Sequence, residues 1–328
     1  MERKQKIKDF RKQLDTTLLT SPGLANKDAI RKLVQSQLQS APAEVQEKRV
    51  AQVSNMLDIQ RSACGNDFKS SKHGAWKLKE DTEGYRVMYR EGPEGSPFHT
   101  LLTEGYADGP VDVCLGAAWE LSLYKNWWPQ YNFPTFKVLT SCRLKKVRLD
   151  EQISLLRMKV PWPLSDREVV LDYFELECFE DDLVIVLLNS ISDTDSINEH
   201  LRGLTGNEIL EAKNTVRLNF SGGFALKKID SNTTYFRTVG NLDLKLDFVP
   251  PSLINFISRQ LLASACNLYR KVVIAMVKGD GEFGNALEGP LYVRIREHMC
   301  LNNEIKNTAG PKALQNENSE LGDNHVET

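Results

Sequence analysis

The chain has no uninterrupted run of 18 apolar residues, so nothing in it reads as a membrane-spanning helix. It has no excess of either charge: 42 basic against 44 acidic residues leave a formal net charge of -2. A nucleic-acid binder would be strongly basic, so no nucleic-acid partner is expected. Its six cysteines (Cys64, Cys114, Cys142, Cys178, Cys266 and Cys300) share no CxxC spacing, and its five histidines are scattered. Metal ligands cluster on a loop or a helix, so no metal site is expected, and the plain alternative is buried free thiols in a reducing compartment. No P-loop or GxGxxG opens a helix after a strand, so no cofactor is expected either. No Gly-x-Ser-x-Gly elbow occurs, and Ser221-Gly222-Gly223 lies in a strand run, where it marks a bulge or bend. The first residues lack the apolar core of a secretory signal, and Glu2, Asp9 and Asp15 argue against a transit peptide. A cytoplasmic protein is the expectation.

What is present divides into three parts. Residues 1–71 are rich in Lys, Gln, Glu and Ala. Ile7, Phe10, Leu14 and Leu18 recur at helical steps, Asn26 suits the cap of a second helix carrying Ile30, Leu33, Val34 and Leu38, and Pro42 suits the first turn of a third. A polar linker over 65–74 follows. Residues 300–328 are polar and predict a disordered tail. The first twelve residues hold six basic groups (Arg3, Lys4, Lys6, Lys8, Arg11, Lys12) against Glu2 and Asp9, a net of +4. That pattern fits either contact with an anionic membrane surface or a solvated helix face.

The body spans 76–299. Alternating runs over 85–90 and 99–106 predict two strands joined by a turn at Gly92-Pro93-Glu94-Gly95, and Val111, Leu115, Ala118, Trp119 and Leu123 predict a helix. Strand patterns then follow over 136–149, 152–160, 168–178, 183–189, 216–227 and 234–246, too close together for crossover helices, so the sheet is expected to be antiparallel. A long amphipathic helix runs from Pro250 to Lys278 and stops at Gly279. The fold class is therefore α+β: a curved antiparallel sheet around one long helix, with a helical N-terminal extension. The space between sheet and helix is either an apolar cavity or an ordinary packed core, and patterning leaves both open.

Three segments carry a family resemblance: Trp76 with Tyr85-Arg86-Val87-Met88-Tyr89-Arg90, Tyr124-Lys125-Asn126-Trp127-Trp128-Pro129, and above all Val160-Pro161-Trp162-Pro163-Leu164-Ser165-Asp166-Arg167-Glu168-Val169-Val170. The last resembles the PxPxSxRDxV stretch of START domains, the steroidogenic-acute-regulatory-related lipid-transfer family. The resemblance covers 76–299 and implies a helix-grip fold with an internal tunnel for a sterol, a phospholipid or a similar apolar molecule. It also implies non-enzymatic lipid binding, transport or sensing, with transient contact at a membrane surface.

On that resemblance the ligand-contacting residues are Arg167, Arg157, Trp162, Tyr235, Ile257, Leu261, Ala265 and Leu268. The chain departs from the family at Arg157, where an acid that pairs with the tunnel arginine is usual. Arg157 either meets a polar or anionic head group, or points to solvent and pairs with an acid such as Asp172 or Glu175. Trp127, Trp128 and Trp162 either rim a tunnel mouth or staple loops to the sheet. Two other functions stay open: a polyketide-cyclase-like enzyme using the same cavity, and a lipid-regulated adaptor acting through the N-terminal helices.

Overall fold

The run Leu183-Val184-Ile185-Val186-Leu187-Leu188 does not alternate, and a strand of that composition needs cover on both faces. The computed structural model supplies it. Residues 2–65, 75–92, 98–191, 215–246, 250–279 and 282–308 are described. Eleven strands form one sheet: β1 (Lys77–Asp81), β2 (Tyr85–Glu91), β3 (Phe98–Ala107), β4 (Tyr131–Asn132), β5 (Thr135–Arg148), β6 (Glu151–Lys159), β7 (Asp166–Cys178), β8 (Leu183–Ser190), β9 (Thr215–Arg217), β10 (Asn219–Asp230) and β11 (Thr233–Asp243). Their order is β1-β2-β3-β11-β10-β8-β7-β6-β5-β4, with every pairing antiparallel except β9, which lies parallel to β7. The proposed turn at 92–95 and the linker after 65 fall largely outside the described residues. Ser221-Gly222-Gly223 keeps its register, so it is a close approach and not a bulge. At Gly223 φ is +147°, and an added Cβ would lie 1.9 Å from the Val186 carbonyl oxygen.

The outer face carries the N-terminal helices α1 (Glu2–Thr20), α2 (Lys27–Gln37) and α3 (Ala43–Arg61). The Asn26 side chain accepts from the Asp28 and Ala29 amides at 3.0 and 2.9 Å, the expected cap. Pro42 is the residue before the first turn of α3, one position earlier than expected. Leu14, Leu18, Val50, Val53 and Leu57 are fully buried against Leu176, Leu183, Leu187 and Val239 of the sheet. At about 2 kcal/mol per buried aliphatic side chain, the extension is an integral layer.

Charge locks the same interface. Glu104 of β3 receives Arg237 and Arg11, each at 2.6 Å, together with Arg86, while Arg237 also reaches Asp15 at 2.6 Å. Burial alone would raise the Glu104 carboxyl; Arg237, Arg86 and Arg11 outweigh it and hold it at about 2. Arg49 of α3 bridges Glu151 and Asp172 at 2.9 and 2.8 Å. Arg11 is thereby taken inward, out of the basic N-terminal stretch.

The inner face is gripped by α4 (Val111–Trp119) and by a long C-terminal helix. That helix is not uniform: α6 (Pro251–Asn255) passes through a π-helical stretch, Phe256–Leu261, into α7 (Leu262–Val277). Gly279 follows at φ +74°, the left-handed residue that ends it. Short α5 (Tyr124–Trp127) lies over β5, and α8 (Glu282–Ala286) leads into α9 (Pro290–Thr308). This last helix continues through Thr308, past residue 300 where the tail was expected to begin; the remainder of that tail lies outside the described residues. Leu291, Tyr292, Ile295 and Met299 bury its inner side against α4 and its neighbours.

Candidate functional site

Strand register defines the inner wall at one end of the grip. Three rungs cross β5, β6 and β7: Val138–Met158–Arg167, Ser141–Leu156–Val169 and Arg143–Ser154–Leu171. Side chains on one face recur at every second residue, so these nine share a face unless a bulge intervenes; β5 has bulges near 139 and 144, and its printed pairs already include them.

The grip is tight at one end and loose at the other. Val184, Leu226, Val273 and Met276 are fully buried. Toward the other end the apolar side chains Leu156, Met158, Leu188 and Phe220 on the sheet are only half-buried. So are Leu253, Ile257, Leu262 and Leu268 on the helix opposite them. The π-helical stretch falls in that less buried part of the helix. Phe136, Phe256 and Leu261 form a small separate cluster at this end, with Trp128, Tyr131, Met158 and Ile257 packed on it.

Within this apolar wall sits a set of unsatisfied polar groups. The indole N–H groups of Trp127 and Trp128 and the hydroxyls of Ser141 and Ser154 are buried with no hydrogen-bond partner. Native interiors satisfy nearly all such groups through protein, water or ligand. Arg167 is 5% exposed, and among the described residues its one hydrogen bond runs from Nη1 to the Ser165 carbonyl oxygen at 2.5 Å. Burial pulls its guanidinium below the ordinary arginine range.

Tyr124 and Trp128 stack at 5.3 Å, with Trp127 edge-on to both at 5.0 and 5.4 Å. Trp127 and Trp128 therefore staple α5 to the sheet and helix, as the structural alternative held. Burial pushes the Tyr124 and Tyr173 phenols well up, so both stay protonated at neutral pH.

Two loops project at the same end, because Lys137 at the start of β5 pairs with Lys159 at the end of β6. Phe133 in the β4–β5 loop is 95% exposed and Trp162 in the β6–β7 loop is 91% exposed. The two paired lysines beneath them are exposed as well.

Of the expected ligand-contacting residues, Ile257 and Leu261 belong to the small cluster at this end, Leu268 packs on the main inner core, Arg167 is buried on the inner phase of β7 and Ala265 is buried on the same helix as Leu268. Three residues are corrected, the first being Trp162, which projects from the β6–β7 loop and is 91% exposed. Arg157 falls on the opposite phase of β6 and faces outward, where Glu168 receives it at 2.9 Å and also receives Arg217 at 2.6 Å. Its partner is neither Asp172 nor Glu175. Tyr235 lies in the outer cluster under the N-terminal helices, beside Arg11 and Glu104, away from the recess. Ser141, Ser154 and Phe133 were missed. Strand phase, once known, identifies both serines; a phenylalanine between Asn132 and Pro134 in a loop was the available signal for the third. Among the described residues no group of three or more His, Cys, Asp or Glu side chains is placed to hold a metal ion.

No protein-family model matches the chain, and no curated protein matches it in sequence. Solved structures match it in fold. Human STARD10 aligns with a TM-score of 0.52 at 14% identity, over 73% of this chain and 86% of that one. Human StAR-related lipid transfer protein 5 aligns with a TM-score of 0.51 at 15% identity, over 74% of this chain and 99% of that one. The expected α+β helix-grip architecture of START domains is the observed fold, with the three-helix extension on its outer face as an additional layer.

Proposed function

We propose that this protein binds a lipid non-catalytically between its sheet and its C-terminal helix, and exchanges it with a membrane. The carrying observation is the loose end of the grip. Half-buried apolar side chains line both walls there, and unpartnered polar groups sit among them. An enclosed acyl chain or ring system would gain roughly 25 cal/mol for each Å² of apolar surface it removes from water. The fold shared with human StAR-related lipid transfer protein 5 supports the same reading.

Phe133 and Trp162 support exchange with a bilayer. Inserting two aromatic side chains contributes about 2 kcal/mol each, and a lysine near an anionic surface about 1 kcal/mol. A total of about 6 kcal/mol gives weak, reversible docking, which a shuttle needs. The π-helical stretch beside the recess is the natural place for the helix to yield during loading. We read the protein as cytoplasmic: all six cysteines are free thiols, and among the described residues no helix is long and apolar enough to cross a membrane.

The test is native mass spectrometry of the purified full chain, followed by transfer of a labelled lipid between two vesicle populations. A co-purifying lipid and protein-dependent transfer are expected. A chain that carries no lipid and takes none up from vesicles would overturn the proposal.

A further inference from the structure

The polar groups at the loose end are of one kind. Arg167 and the two indole N–H groups only donate hydrogen bonds, and the hydroxyls of Ser141 and Ser154 are free to donate. The acids that flank the arginine are on the other phase of β7. Glu168 faces outward to Arg157 and Arg217, and Asp166 shares its parity. Among the described residues no carboxylate lies within ion-pair distance of Arg167. A buried guanidinium beside apolar side chains is costly without an anion, and buried donors without acceptors add to that cost. A neutral hydroxylated ligand would occupy one or two of these donors and leave the charge opposed only by Asp166, which acts on it from beyond ion-pair distance.

We infer that the enclosed ligand carries an oxyanion, a carboxylate or a phosphate, seated between Arg167 on β7 and Ser141 and Ser154 on the neighbouring strands. This rests on the lipid-binding proposal and adds the head-group class. Arg167 and Ser141 are one rung and two strands apart, about 12 Å between Cα atoms by sheet spacing. The Arg167 guanidinium, whose Nη1 donates to the Ser165 carbonyl oxygen, would turn toward Ser141 to share one carboxylate or phosphate group with it. The hydrocarbon would then run along Leu156, Leu188, Phe220 and Leu268.

The test compares matched probes on the full chain. Oleic acid against oleyl alcohol varies only the carboxylate, and dioleoyl phosphatidic acid against dioleoyl glycerol varies only the phosphate. Binding is measured by native mass spectrometry and by titration calorimetry. At least one anionic probe is expected to bind about tenfold or more tighter than its neutral partner, the scale of charge-assisted hydrogen bonding, and the pair that shows it identifies the source of the oxyanion. In R167Q that ratio is expected to fall toward one, whereas R167K retains most of it. Circular dichroism checks that each variant is folded, and an R167Q that fails to fold is replaced by the S141A/S154A double variant, for which a several-fold fall in the ratio is expected. Equal binding of anionic and neutral probes, or a preference untouched by R167Q, overturns the head-group inference while leaving lipid binding intact. Failure of all four probes to bind instead overturns the lipid-binding proposal beneath it.

Discussion

Arg167 and Glu168 are neighbours in sequence and face opposite sides of β7. Glu168 closes an outer-face pair with Arg157 and Arg217, and Arg167 is left on the inner face with, among the described residues, one backbone carbonyl oxygen as its acceptor. The division separates two tasks that a shared salt bridge would merge. The outer acid stabilises β7, and on the head-group inference the inner arginine keeps its charge for the ligand. An Arg167–Glu168 pair on one face would leave the recess electrically satisfied and empty of preference.

Removing the outer acid therefore costs stability and spares selectivity. Glu168→Gln removes the carboxylate that receives Arg157, a largely buried cation, and Arg217. The expected loss is about 3 kcal/mol in urea unfolding, the scale for breaking a buried pair. The oleate-to-oleyl-alcohol binding ratio should match that of the natural chain. A ratio shifted as far as in R167Q would mean that the two residues share a face after all.

The same division explains how much was legible beforehand. Alternation, or for β8 an unbroken apolar run, located every long strand, and the Pro161-Trp162-Pro163 segment marked the β6–β7 loop. Which face each arginine took was not legible, because a slip of one residue exchanges the faces and a run such as Leu155-Leu156-Arg157-Met158 offers apolar residues on both. The unbroken apolar run of β8 was the signal that a second layer covers the sheet; the helices of residues 2–61 that supply it were recognised, but their docking depends on pairs such as Arg237–Asp15, separated by most of the chain. Helix α9 was hidden by Arg294, Arg296, Glu297 and His298, charged or polar residues that surround its short apolar stripe.

Glu104 predicts an acid limit to stability. Its carboxyl is held at about 2, below its ordinary value of 4.5, so its contribution is fully present above pH 4.5 and is lost as pH falls toward 2. Urea unfolding at stepped pH should show stability falling through that window. Glu104→Gln should be less stable at pH 7 and lose part of that slope. A variant with the full slope would place the acid limit elsewhere.

Glu175 has the opposite sign. It is fully buried, burial raises its carboxyl well above 4.5, and neighbouring Glu177 raises it further against the pull of Arg294 at 3.7 Å. In the unfolded chain it ionises near its ordinary value, so the native state loses stability as pH rises above that value toward its folded one. Glu175→Gln imitates the neutral acid. It is expected to raise Tm by a few degrees at pH 7.5, the response of a large domain to about 1 kcal/mol, and to leave Tm nearly unchanged at pH 4. A lower Tm at both pH values would mean that the ionised carboxylate is held by Arg294 in the native state.

Phe133 and Trp162 make the prediction that separates binding a lipid from delivering it. Both side chains are almost wholly exposed and contribute little to packing. Replacing both by alanine is expected to leave Tm within about a degree, because substitutions away from buried features fall within about 0.5 kcal/mol. The lost insertion, about 2 kcal/mol for each aromatic side chain, should weaken co-sedimentation with anionic vesicles by at least tenfold. Transfer between vesicles should slow in step, while lipid already loaded in the purified chain stays in place, since neither side chain lines the recess. Added salt weakens the part due to Lys137 and Lys159 and leaves the aromatic part, so the doubly substituted protein should show the same slope of log affinity against salt from a lower starting affinity. If vesicle binding and transfer are unaffected by the double substitution, the membrane-facing surface lies elsewhere on the molecule.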